Sequence, residues 1–166
     1  MNSLSRTYIY LLTALLSLLI CGLLVLHIAY LEGTHFQPNG LFYALFFGIN
    51  LPILGLAESR NIWANEVQHC SPWLRWIFRS LFVYTIIVML LCIIGDMHIP
   101  NNFFLAASAF MLTFTCGSAC ILYATIRASR TDAQNLRNRT KRSVITVALF
   151  AALFLVFSLL PKPGLH

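Results

Sequence analysis

Residues 127–142, RASRTDAQNLRNRTKR, carry six of the chain's eleven Lys and Arg side chains and lie between two long apolar runs. A basic segment beside an apolar span is retained on the cytoplasmic face of a membrane, because Lys and Arg close to a span resist translocation. Placing that one segment places every other loop, since each apolar run that crosses the bilayer reverses the side.

Composition agrees with a membrane setting. The 166 residues are 59% hydrophobic and 10% charged, where soluble proteins average roughly 25% charged. Several apolar runs approach or exceed the roughly 20 residues that cross a hydrocarbon core of about 30 Å. Five spans are expected, at residues 8–30, 41–57, 76–94, 103–126 and 144–160. The fold class is therefore an all-α integral membrane protein, with one helical domain over residues 1–166. The end of the first run, HIAYLEG (27–33), is a poor cleavage site, so the run reads as a retained helix rather than a signal peptide.

With five spans and a cytoplasmic N-terminus, ten of the eleven basic residues face the cytoplasm, and the C-terminus, with Lys162, is external. Dropping any internal span moves a loop across the bilayer and spoils that partition. The expected location is the inner (plasma) membrane, with multiple passes. The formal charge of +6 does not imply nucleic acid, because no recognition helix or RNA-binding signature accompanies it. The basic residues face anionic lipid headgroups instead. Five cysteines, Cys21, Cys70, Cys92, Cys116 and Cys120, fall in spans or a cytoplasmic loop. A disulfide framework is not expected of them.

The two turns placed outside resemble each other. HFQPNGLFYA (35–44) aligns with HIPNNFFLA (98–106) with one residue skipped, each preceded by a carboxylate, Glu32 or Asp96. This suggests two copies of a helical hairpin plus one further helix, a kind of internal repeat found in polytopic folds.

Four groups of residues are candidates for function. Glu32, His35, Asp96 and His98, with His27 near the outer end of the first span, could gather a divalent metal ion, since imidazole and carboxylate are suitable ligands. The D-x-H and E-x-x-H spacings are generic. Asn50 beside Pro52 is the best polar intramembrane site: proline cannot donate to the preceding turn, so a kink there could free a carbonyl beside an amide. The bland alternative is a packing kink, with Asn50 hydrogen-bonded to a neighbouring helix. Thr113, Cys116, Gly117, Cys120 and Ala124 form a strip of small residues that would let another helix approach closely. Its CxxxC spacing is not the CxxC of thiol–disulfide exchange. Trp63, Trp73 and Trp76 cluster where an aromatic belt would anchor the chain at the membrane interface.

The leading expectation is a non-enzymatic protein of the lipid bilayer that works by helix packing with another membrane protein or with itself. It would be an accessory subunit, an assembly factor or an immunity-type protein. Alternatives are a transporter or channel component built around the kinked second span, and a metal-handling protein or membrane enzyme using the external His and carboxylate residues.

Overall fold

The computed structural model describes residues 3–34, 36–57, 70–94, 100–129 and 133–159. Five helices and no strand occur among the described residues: α1 (Ser3–Leu31), α2 (Gly40–Leu54), α3 (Pro72–Ile94), α4 (Pro100–Ser129) and α5 (Ala133–Leu159). Three of them contain stretches long and apolar enough to cross a membrane, Leu4–Leu31, Pro72–Ile94 and Phe103–Arg127.

The bundle is built on α4. Of its most apolar 18 residues 56% are buried, against 22% of the corresponding 18 in α1 and 17% in α3. Its most extensive neighbours are α3 and α1, and it also touches α2 and α5. A helix wrapped by other helices can carry hydroxyls that lipid would penalise. That is why α4 tolerates buried Ser108, Thr113, Thr115, Ser118 and Thr125.

α1 turns one stripe inward. Ile9, Leu12, Leu16, Leu23, His27 and Tyr30 are buried, and their spacing of three, four or seven residues follows one helix face. The helix stops in a Schellman turn at Gly33, whose φ of +84° suits glycine. Thr34 N–H donates to the Ala29 carbonyl (2.9 Å), and Gly33 N–H to that of Tyr30 (3.1 Å).

α2 starts at an Asn39 cap, whose side chain accepts from Phe42 N–H at 3.1 Å. It remains helical through Pro52 and ends at Leu54, three residues before the apolar run does. Beyond it the backbone tightens to i→i−3 bonds, Leu56 N–H to Ile53 and Ala57 N–H to Leu54. With 15 residues, α2 is about 22 Å long.

α5 differs most from the sequence reading. The basic segment is not simply a loop: residues 127–129 close α4, and α5 is helical from Ala133, eleven residues before the apolar run at 144. The reason is amphipathic. Leu136, Arg139 and Ser143 are buried and recur at one-turn spacing, so the basic turns pack an inner face while Arg137 and Lys141 point outward.

Candidate functional site

Three groups of buried polar side chains tie the other helices to α4. At the Pro100 end, His27 of α1 sits between α3 and α4. Its Nδ1 is 2.8 Å from Ser108 Oγ, and its Nε2 is 2.8 Å from the Tyr84 hydroxyl. Ser108 donates its one hydroxyl proton to the Leu105 carbonyl at 2.8 Å. With that proton on the carbonyl, the Ser108 oxygen accepts from Nδ1–H and Nε2 accepts from Tyr84; the other tautomer reverses both roles. His27 is thus buried inside the bundle, whereas Glu32 is exposed. The sequence signal was its place in the inward stripe, four residues after Leu23 and three before Tyr30.

In the middle, Asn50 of α2 is fully buried against α4. Ser118 Oγ donates to Asn50 Oδ1 at 2.7 Å, while Asn50 Nδ2 donates to the Phe46 carbonyl (2.9 Å) and, at 3.5 Å, to Thr115 Oγ1. The neighbouring pair is reciprocal: Thr85 of α3 donates to the Ala109 carbonyl and Thr113 of α4 to that of Leu81, both at 3.1 Å. The two threonine hydroxyls stand 2.8 Å apart.

At the Ser129 end, α5 grips the end of α2. Arg139, 3% exposed, donates from Nη1 to the Leu56 carbonyl (3.4 Å) and to Thr125 Oγ1 (3.3 Å), and from Nε to Asn135 Oδ1 (3.1 Å). An arginine here satisfies carbonyls left open at a helix C-terminus and complements its dipole. Ser143 Oγ donates to the Pro52 carbonyl at 2.6 Å, and the Tyr8 hydroxyl lies 2.8 Å from the same Ser143 oxygen. Proline thus contributes through its carbonyl, which anchors α5. Gly55 allows the approach: a Cβ there would lie 2.7 Å from Thr146 Oγ1 and 2.8 Å from Ser143 Cα. Counting charge along the chain treats Arg139 as one of six loop cations and misses its burial.

The strip of small residues faces α3. Cys116 and Cys120 pack with Cys70 and Phe78, and Thr113 joins the threonine pair. A Cβ on Gly117 would lie 3.2 Å from the Phe78 ring. Ala124 is half-buried further along α4. Burial pushes the Cys70 thiol up, against smaller opposing pulls from hydrogen bonds to Cys120 and Ser71 and from the Arg75 charge. Among the described residues the five cysteines are free thiols.

Of the four suggested metal ligands, His35, Asp96 and His98 lie outside the described residues, and Glu32 is exposed just beyond α1. Among the described residues no three His, Cys, Asp or Glu side chains converge as a metal site. Trp73 and Trp76 project from the first turns of α3, 64% and 72% exposed, and Trp63 lies outside the described residues. Comparison of the chain with known protein families, curated proteins and solved structures gave no match.

Proposed function

We propose that the chain is a five-span protein of the inner (plasma) membrane, N-terminus cytoplasmic and C-terminus external, acting without catalysis through helix packing. It would serve as an accessory subunit, assembly factor or immunity-type protein of a membrane complex. The observation that carries this reading is the commitment of Asn50. The amide that could have met an ion or substrate is spent on α4, with Ser118 at 2.7 Å. The outer half of α5 adds support: residues 151–156 are exposed at six consecutive positions, so apolar surface is offered all round the helix. A second membrane chain can pack there, as can lipid. Co-purification of the full chain from its own membranes tests the proposal, which expects a second polypeptide at fixed stoichiometry.

A transporter or channel component is the second reading, favoured by His27 rather than by Asn50. An ionisable side chain inside an apolar bundle and hydrogen-bonded on both ring nitrogens is the usual mark of a proton or substrate path. Proton-coupled flux in proteoliposomes that survives His27→Gln unchanged would remove that path.

A further inference from the structure

A groove of about 380 Å³ opens where the start of α1 meets the basic turns of α5. Its polar wall is Ser5, Arg137, Thr140 and Lys141, and its apolar wall is Leu4, Val144 and Ile145. Arg137 and Lys141 lie four residues apart on one helix face, and both are exposed. Thr140 has spent its proton on the Leu136 carbonyl at 2.9 Å, so Ser5 is the hydroxyl placed to donate. One turn further along α5 the lining becomes wholly apolar, with Val144 52% and Ile145 57% exposed.

The walls are held in place from behind. Tyr8 OH bonds to Ser143 Oγ, and Ser143 in turn to the Pro52 carbonyl, so α1, α5 and the end of α2 share one anchor beside the groove. Two cations beside apolar carbon match an anionic amphipath, and the one a bilayer supplies at a helix end is a phosphate diester attached to acyl chains. A soluble phosphate would use the cations and leave the apolar wall wet. A zwitterionic lipid would satisfy the apolar wall and set its own ammonium against the cations.

We propose that this groove binds an anionic glycerophospholipid, with the phosphate between Arg137 and Lys141 and the first acyl segment over Leu4, Val144 and Ile145. The site shares with the functional proposal only the premise that α1 and α5 are membrane helices, and it does not depend on a protein partner. Two cations at a bilayer surface correspond to about 30-fold in lipid affinity.

Native mass spectrometry of the full chain from nanodiscs of equal phosphatidylglycerol and phosphatidylcholine tests the site. The wild type is expected to retain one phosphatidylglycerol. The Arg137→Gln, Lys141→Gln double variant should lose that preference, and Arg79→Gln on α3 should keep it. Equal retention of phosphatidylcholine by the wild type, or undiminished phosphatidylglycerol on the double variant, overturns the proposal. Displacement of the lipid by millimolar glycerol 3-phosphate would also overturn it, since the headgroup alone would then suffice. A thermal melt of each variant in phosphatidylcholine checks folding independently, and only the wild type and Arg79→Gln should gain stability on adding phosphatidylglycerol. Loss of a protein partner with lipid retained would defeat the functional proposal and leave the site standing.

Discussion

Ser118 on α4 donates a 2.7 Å hydrogen bond to the side-chain oxygen of Asn50 on α2, and both residues are buried. That contact decides what the polar break beside Pro52 does: it joins helices. Asn50→Leu should lower stability by about 0.6 kcal/mol, the average for an interhelical hydrogen bond in a membrane protein, and by no more than about 1.7. Ser118 has a fallback in the Phe114 carbonyl at 3.4 Å, which keeps the loss near that average. In a double-mutant cycle with Ser118→Ala, the combined loss should fall short of the sum of the single losses. Unfolding in mixed micelles by a denaturing detergent gives these values.

Gly55 is required by proximity rather than by backbone conformation, since its φ is −63°. Gly55→Ala should cost about 1–3 kcal/mol, because the obstructing atoms include the Ser143 backbone and the helices must separate. Gly48 has nothing within 4 Å of its missing Cβ. Gly48→Ala should therefore leave the same unfolding measurement unchanged or slightly raised.

Arg139 and Arg137 are two residues apart and should behave oppositely. Arg139→Met leaves the Leu56 carbonyl and the Thr125 hydroxyl without this donor, which should cost about 1–3 kcal/mol. Arg139→Lys should not restore the loss, since an ammonium lacks the planar fork that reaches several acceptors. Arg137→Gln, at an exposed position, should stay within about 0.5 kcal/mol in phosphatidylcholine, where no anionic lipid occupies the groove. Comparing the three variants by thermal unfolding checks all of this.

Cys70 gives the pH dependence. Burial raises its thiol in the folded protein, so above the ordinary thiol range the unfolded chain loses this proton first. The unfolded state then binds fewer protons than the native one, and stability contributed by this group falls as pH rises. Below that range the contribution is intact. Alkylation of Cys70 in the folded protein, followed by peptide mass mapping, should lag the detergent-denatured protein and begin at a higher pH. Equal rates across the titration would contradict the burial.

Much of the architecture can be read from the apolar runs, because a helix that must satisfy its own backbone bonds in lipid shows itself as a long uncharged stretch. All-helical character and the order of the five helices follow from that. Hydropathy fails where a polar residue is buried by its phase on a helix. Arg139 falls in a run of charge, yet Leu136, Arg139 and Ser143 mark an inward face that starts α5 at Ala133. His27 stands near the end of the first apolar run, close in sequence to the turn residues, and the Leu23–His27–Tyr30 stripe carries it inward. Asn50 was legible as a polar break, but its partners Thr115 and Ser118 lie more than sixty residues away. No local pattern could name them.

The five-span proposal has its own test. A periplasmically active phosphatase fused after His166 should be active, and the same reporter inserted after Arg130 should be inactive. The reverse pattern would invert the topology.

Native mass spectrometry of the chain released gently from its own membranes tests the central claim most directly. The account predicts a complex in which a second polypeptide accompanies the chain at fixed stoichiometry. A chain that emerges alone, and that by itself moves or converts a substrate after reconstitution, would contradict it.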